Sequence, residues 1–152
     1  MRIEIDDLSR EPVHELLKEH LANMYELSPP EQVFALDLTK LKSPEITFWT
    51  AWDNEMLLGC GALKELSTVH GEIKSMRTPK SLRGRGAGRA VLSVIIETAR
   101  QRGYQRLSLE TGTHPAFAPA QYMYMSAGFQ ETGPFAGYVE DPHSKFFELR
   151  LP

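Results

Sequence analysis

A segment rich in glycine and arginine directly precedes the strongest helical pattern of the chain, and this pairing limits the choice of fold. Residues 76–89 read Met-Arg-Thr-Pro-Lys-Ser-Leu-Arg-Gly-Arg-Gly-Ala-Gly-Arg. Between Gly88 and Arg102 the apolar residues recur at helical spacing, and Gly103 supplies a stop signal. Because His70 to Thr78 has the composition of a strand ending before Pro79, the pattern predicts strand, loop and helix in that order.

The charge of this segment is opposite to that of the rest of the chain. Five cations lie in it without an acidic residue, although the 152-residue chain has 17 Lys and Arg against 20 Asp and Glu. Three glycines let successive backbone amides face a ligand, and a helix start adds unpaired N–H groups. The segment therefore indicates either a phosphate-binding loop or a solvated basic loop. The cations are Arg77, Lys80, Arg83, Arg85 and Arg89, and the glycines are Gly84, Gly86 and Gly88.

Two familiar phosphate-binding motifs fit this segment poorly. A Walker loop requires Gly-Lys followed by Ser or Thr, which the chain lacks. The glycine spacing also differs from the G-x-G-x-x-G dinucleotide fingerprint. Glu110 follows the glycines by about twenty residues, which is near the sequence position of the acidic residue that binds ribose in dinucleotide-binding folds. Dinucleotide binding therefore stays open as a minor alternative.

The order of predicted elements indicates an α/β (α+β) fold. We predict one domain over residues 1–152, with a mixed, mostly antiparallel central sheet of six to seven strands and helices on both faces. Gly59 and Gly61 in the third strand suggest a bulge or a close backbone approach. The predicted strands are residues 2–6, 47–52, 56–66, 70–78, 106–110, 129–132 and 145–151. The first predicted helix begins after Ser9, its N-cap, and ends before Pro29. The other predicted helices cover residues 33–38, 88–102 and 120–127.

Composition excludes several classes of protein. The single cysteine, Cys60, excludes a disulfide framework and a cysteine-rich metal site, and no histidine pair has zinc spacing, so we expect no metal. No apolar run approaches the roughly twenty residues that span a bilayer. The N-terminus lacks a signal-peptide pattern. We therefore expect a cytoplasmic protein with no membrane partner, and the net charge of −3 argues against nucleic-acid binding.

Two motifs resemble those of the GNAT superfamily of N-acetyltransferases, in particular its small stand-alone bacterial members. Residues 83–88, Arg-Gly-Arg-Gly-Ala-Gly, match the family's [Q/R]-x-x-G-x-[G/A] at a strand–loop–helix junction. Residues 120–129, Ala-Gln-Tyr-Met-Tyr-Met-Ser-Ala-Gly-Phe, match a second signature near A-x-x-L-Y-x-x-x-G-F. Their order and separation also agree, so the resemblance covers essentially the whole chain.

The resemblance implies acetyl-CoA as cosubstrate. Main-chain groups at the end of the preceding strand pair with the pantetheine arm in the family, and that strand splays from its neighbour. This chain departs from the family twice: Pro79 stands four residues before Arg83 rather than three, and Phe117 replaces an asparagine often found seven residues before the motif tyrosine. We expect Phe117 to wall the pantetheine. The implied cofactor-binding residues are Met76, Thr78, Arg83, Gly84, Arg85, Gly86, Ala87, Gly88, Arg89, Phe117 and Ala120.

Two residues are candidates for catalysis. The resemblance places Tyr124 as the acid that protonates the thiolate, because a phenol with a pKa near 10 can supply that proton. The alternative is a tyrosine packed in the core. Glu72 resembles the strand glutamate that serves as base in histone-type acetyltransferases. It is equally explained as a sheet carboxylate paired with Lys74 or Arg77.

The acceptor is the part of the reaction that the sequence specifies least. In the family it is bound by the first two helices and by the loop between the last two strands, here about residues 20–38 and 134–145. Excess negative charge outside the cofactor loop favours a cationic primary amine of a small molecule or peptide. The alternatives are a non-catalytic CoA- or nucleotide-binding module, or a nucleic-acid surface; the family often forms homodimers. The candidate acceptor residues are His20, Asn23, Tyr25, Glu31 and Tyr138.

Overall fold

The computed structural model of the chain describes residues 1–22 and 37–152. Its strands form one seven-stranded sheet in the order β1-β2-β3-β4-β5-β7-β6. β4 and β5 pair in parallel, whereas the pairs β1–β2, β5–β7 and β6–β7 are antiparallel. This confirms the predicted fold class. The strands are β1 (Arg2–Ile5), β2 (Ile46–Asp53), β3 (Met56–Ser67), β4 (His70–Arg77), β5 (Arg106–Gly112), β6 (Gln130–Thr132) and β7 (Ser144–Arg150).

The helices agree with the sequence pattern except at some ends. They are α1 (Glu11–Ala22), α2 (described over residues 37–41), α3 (Ala87–Gln101) and α4 (Ala118–Ser126). The prediction that Ser9 caps α1 was wrong, because the helix begins at Glu11 and the Ser9 hydroxyl donates to Asp7 Oδ1 at 2.5 Å. Of the helix predicted over residues 33–38, the part before residue 37 lies outside the described residues.

The end of α3 shows why its sequence pattern is reliable. Gly103 has φ +80°, a conformation that costs other residues free energy because of their Cβ atom. The Gly103 amide donates to Arg100 O at 3.1 Å and the Tyr104 amide donates to Ala99 O at 3.0 Å. These two bonds form a Schellman motif, so the predicted stop at Gly103 is confirmed.

The described chain forms two compact units. Unit 1 comprises Met1–Leu63 and Ser75–Ile95, and unit 2 comprises Lys64–Lys74 and Ile96–Pro152. The core of unit 1 packs one face of α1 against β2 and β3, with Val13, Leu17 and Ala62 fully buried. In unit 2, Leu107 and Leu109 of β5 and Phe147 of β7 are buried. None of the described helices combines the length and the apolar character needed to cross a membrane.

Candidate active site

In the loop that joins β4 to α3, two of the three predicted glycines have a positive φ, and the third, Gly88, lies in the first turn of α3. Gly84 and Gly86 both have φ +83°, and a Cβ atom at either position would meet no heavy atom within 4 Å. The glycines are therefore required by the backbone conformation and not by crowding. A 3-10 turn over Lys80–Leu82, which follows Pro79, separates the loop from β4.

Four cations of this loop have no acidic partner among the described residues: Lys80, Arg83, Arg85 and Arg89. The fifth predicted member, Arg77, has a different role. Its side chain is 12% exposed, and its guanidinium donates to Glu19 Oε1 at 3.0 Å. The loop therefore presents four available positive charges, together with the unpaired amides at the start of α3, to an anionic ligand.

Two glycines of β3 leave room for atoms of the last residues of β4 and of α3. A Cβ atom on Gly61 would stand 2.4 Å from Met76 Sδ and 2.8 Å from Val91 Cγ1, and one on Gly59 would stand 3.2 Å from Arg77 O. A close backbone approach, one of the two predicted alternatives, is thus found at Gly59, whereas Gly61 is crowded by side chains. Ser75, the residue before Met76, has φ +55°, which interrupts the regular strand geometry of β4.

The thiol of Cys60 lies at this irregular point of β4 and donates to Ser75 O at 3.3 Å. Burial raises the pKa of Cys60 to about 12. The thiol therefore stays protonated at neutral pH and is a poor nucleophile. Cys60 is therefore a core residue of unit 1.

Phe117 covers the end of β5. It belongs to a 3-10 turn that leads into α4, and a Cβ atom on Gly112 would stand 2.4 Å from its ring. Gln121 donates its amide to Gly112 O at 2.7 Å, and Ala120 is partly buried one residue before it. Phe117 remains 38% exposed, so its ring can contact a ligand at this end of unit 2.

Glu72 is a buried carboxylate with two polar partners on one oxygen. It is 4% exposed, and Tyr138 Oη donates to Glu72 Oε2 at 2.6 Å. Lys74 Nζ lies 3.7 Å from the same Oε2. The pairing with Lys74 that the sequence offered as an alternative therefore exists, whereas Arg77 pairs with Glu19. The contact with Tyr138 could not be predicted, since 66 residues separate the partners.

Tyr124 and Tyr122, both on α4, have opposite surroundings. Tyr124 is 6% exposed and its ring meets Phe129 edge-on at 5.8 Å, whereas Tyr122 is 68% exposed. Burial raises the pKa of Tyr124 well above its ordinary value. No residue within 1–22 or 37–152 forms a side-chain hydrogen bond with Tyr124 Oη. The hydroxyl is thus a protonated donor at neutral pH.

The candidate acceptor residues are only partly described. Asn23, Tyr25 and Glu31 lie outside the described residues. His20 is partly buried near the end of α1; burial and, secondly, the Arg77 guanidinium lower its pKa to about 4. His20 is therefore a neutral side chain at physiological pH. Tyr138 contacts Glu72, as described above.

An open cavity of about 430 Å³ lies in unit 2 beside β6, β7 and the loop that joins them. This loop is the second segment that the sequence assigns to the acceptor. Three carboxylates and one ammonium line the cavity, so its charge favours a cationic ligand. These charged residues are Glu131, Glu140, Asp141 and Lys145.

Comparison with known proteins decides the family. The sequence pattern described as the Acetyltransferase (GNAT) family matches residues 11–129. The chain belongs to the GNAT family. It is 56% identical to the uncharacterized N-acetyltransferase YsnE of Bacillus subtilis (strain 168) over 99% of this chain and 100% of that protein. The uncharacterized N-acetyltransferase YedL of Escherichia coli (strain K12) is 45% identical over 98% of this chain and 94% of its own length.

A solved GNAT structure confirms the fold. The acetyltransferase of Elizabethkingia anophelis, crystallised with acetyl-CoA bound, superposes with a TM-score of 0.72 at 18% identity, covering 99% of this chain and 97% of that chain. Membership of the GNAT family explains why the glycine–arginine loop precedes α3 and why the tyrosine motif lies on α4.

Proposed function

We propose that this GNAT enzyme transfers the acetyl group of acetyl-CoA directly to a primary amine of a small molecule or peptide in the cytoplasm. The observation that carries the proposal is the loop over residues 83–89. It combines two glycines at φ +83°, exposed arginines that have no acidic partner among residues 1–22 and 37–152, and the amides at the start of α3. These are the groups that bind a diphosphate. Relatives over the full chain are named N-acetyltransferases, which supports the reaction class.

The remaining predicted cofactor residues also fit a thioester carrier with an extended arm. The parallel ladder between β4 and β5 covers His70–Ile73, so the main-chain groups of Met76 and Thr78 lie beyond it. We assign these groups to the pantetheine arm and Phe117 to its wall. Bound acetyl-CoA supplies the activated acetyl group as a thioester.

Two side chains move protons in the proposed reaction. A primary ammonium must lose a proton before its nitrogen can attack the thioester carbon, and Glu72 accepts that proton, directly or through a water. The C–S bond breaks as the C–N bond forms, and Tyr124 protonates the departing thiolate. The nitrogen then loses its second proton, which restores the Tyr124 phenol, so the products are the amide, the CoA thiol and the one proton held by Glu72. No covalent enzyme intermediate is needed, which agrees with the buried, protonated Cys60 thiol.

The acceptor is proposed to be cationic. The cavity beside the β6–β7 loop is lined by three carboxylates against one lysine. Excluding the cations of the cofactor loop, the chain has an excess of acidic residues. An acceptor with a second positive charge, such as a polyamine or a lysine-containing peptide, therefore suits this unit better than an acidic one.

The first test measures ligand binding and turnover of the same protein. Acetyl-CoA and CoA, but not NAD or ATP, are expected to raise the unfolding temperature, since a ligand at a hundred times its Kd stabilises by about 2.7 kcal/mol. A panel of primary amines is then incubated with acetyl-CoA and the released CoA thiol is measured. Binding without transfer to any amine would instead establish a non-catalytic CoA-binding module.

A matched pair of glycine variants locates the binding site. Gly86→Ala imposes strain at φ +83° inside the loop and is expected to weaken acetyl-CoA binding about tenfold, from the roughly 1–2 kcal/mol that this conformation costs. Gly103→Ala imposes the same strain at φ +80° after α3 and should leave the acetyl-CoA Kd unchanged. Equal loss of affinity in both variants would argue against the loop.

A further inference from the structure

We propose that Tyr138 is a positioning residue for Glu72, holding one carboxylate oxygen so that the other faces the acceptor amine. This inference rests on the proposed function, in which Glu72 takes the proton of the acceptor ammonium. It assigns to Tyr138 a role distinct from forming a wall of the acceptor site.

The two oxygens of Glu72 have different surroundings. Tyr138 Oη lies 2.6 Å from Oε2, and Lys74 Nζ lies 3.7 Å from that same oxygen. Among the described residues, none forms a hydrogen bond with Oε1. A carboxylate held at one oxygen cannot rotate freely, so its second oxygen keeps a fixed direction. A fixed acceptor oxygen is what proton removal from a bound ammonium requires.

The loop between β6 and β7 is folded so that Tyr138 can make this contact. Residues 135–138, Phe-Ala-Gly-Tyr, form a tight turn in which the Tyr138 amide donates to Phe135 O at 3.0 Å. Ala136 has φ +51°, an unfavourable conformation for a residue with a Cβ atom. Strain of this kind persists where surrounding contacts determine the loop and is common at functional sites.

Aromatic packing fixes the ring of Tyr138 on that turn. Its ring centroid lies 5.0 Å from that of Phe135 and 5.9 Å from that of Phe146. Phe135 and Phe146 are both buried, at 7% and 4% exposure, so they form a rigid support. The support depends on the ring alone, whereas the contact with Glu72 depends on the hydroxyl. A phenylalanine at position 138 therefore separates the two roles.

Tyr138 is better suited to this task than Lys74. The hydroxyl makes a short hydrogen bond to an anionic oxygen, which is among the stronger and more directional bonds in proteins. The Lys74 ammonium is 3.7 Å away and its side chain is 33% exposed, so it contributes charge without fixing direction.

The test is a double-mutant cycle of wild type, Tyr138→Phe, Glu72→Gln and the double variant, each assayed with the amine that the wild type acetylates best. Tyr138→Phe is expected to lower kcat about 10- to 100-fold, the range that a hydrogen bond to a charged group provides. The KM for acetyl-CoA should change less than about twofold. In the Glu72→Gln background the same substitution should cause no further fall in kcat, because Tyr138 acts through the carboxylate.

Tyr122→Phe is the matched control, since it removes an exposed hydroxyl and should keep full activity. Circular dichroism and the unfolding temperature establish that each variant is folded. Unchanged kcat in Tyr138→Phe, or an equal loss with and without Glu72, would overturn the positioning role. A wild type that acetylates no amine in the panel would overturn the proposed function itself, and with it this inference; that result is seen without any variant.

Discussion

Two side chains, Tyr124 on α4 and Glu72 on β4, carry out the two proton transfers of the proposed reaction. The Tyr124 phenol is protonated at neutral pH, and burial raises its pKa further, so it can donate a proton but is a weaker acid than a phenol in water. Glu72 is equally buried, but it accepts a hydrogen bond from Tyr138 and lies near the Lys74 ammonium. Glu72 therefore has a hydrogen-bond donor and a cation beside one of its two oxygens. The two residues are thus suited to opposite proton transfers.

The acid role predicts the behaviour of Tyr124→Phe. Loss of the hydroxyl should lower kcat by about 100-fold or more, the usual contribution of a general acid, while the ring still packs against Phe129. The Kd of acetyl-CoA, measured by isothermal titration calorimetry, should stay within about twofold, because the loop over residues 83–89 is intact. Normal turnover in Tyr124→Phe would mean that this tyrosine is a core residue only.

Single residues also show where sequence reasoning reaches its limit. The roles of Gly84 and Gly86 could be predicted from the sequence, because they depend only on a local backbone conformation that favours glycine. Both residues have φ +83°. The partner of Glu72 could not be predicted from the sequence. Tyr138 contacts Glu72 from a loop in which its ring packs against Phe135 and Phe146. Arg77 was grouped with the loop cations on charge alone, but the fold of unit 1 places it against Glu19.

At the level of elements, residues of β3 contact the irregular end of β4. Gly61 leaves room for Met76 and for Val91 of α3, while Cys60 donates to the carbonyl of Ser75. The glycines of β3 thus serve packing and do not mark a break in the strand. The strands and α3 could be predicted within a few residues because their periodicity is strong. The start of α1 could not, since Ser9 bonds to Asp7 instead of the helix.

The packing of Gly61 predicts a large effect from one methyl group. Gly61→Ala would place a Cβ atom 2.4 Å from Met76 Sδ and 2.8 Å from Val91 Cγ1, so the side chains must shift. Overpacking of this kind typically costs about 1–3 kcal/mol of unfolding free energy, measured by urea denaturation. Gly133→Ala is the control, because its Cβ would meet no heavy atom within 4 Å. Equal stability of the two variants would show that unit 1 repacks freely around position 61.

Across the whole molecule, charge is distributed according to the two ligands of the proposed reaction. The cofactor loop in unit 1 carries exposed cations for a polyanion. Among the charged residues that line the cavity of unit 2, three carboxylates outnumber one lysine, which suits the proposed cationic acceptor. The sequence alone predicts this charge asymmetry, because the cations cluster within one short segment and the rest of the chain has an excess of acidic residues. The surroundings of Tyr138 could not be predicted in this way, since its partner Glu72 is 66 residues away in the sequence.

Stability of the whole chain should fall in mild acid because of His20. Burial and the neighbouring Arg77 lower its pKa in the folded protein to about 4, against 6.5 as its ordinary value. The unfolded chain therefore binds more protons than the folded one between these values, so acid favours unfolding. Above pH 6.5 both states are neutral and no penalty remains. The penalty grows as the pH falls below 6.5 and is complete below about 4.

The effect of His20 can be measured as the difference in unfolding free energy between pH 5 and pH 7.5. From His20 alone, the unfolding free energy should be about 2 kcal/mol lower at pH 5 than at pH 7.5. His20→Gln removes the titrating group, so urea denaturation of this variant should show that much less dependence on pH. His143→Gln, at an exposed position, should keep the full dependence. If the two variants lose stability equally between pH 7.5 and pH 5, protonation of His20 does not control the acid sensitivity of the fold.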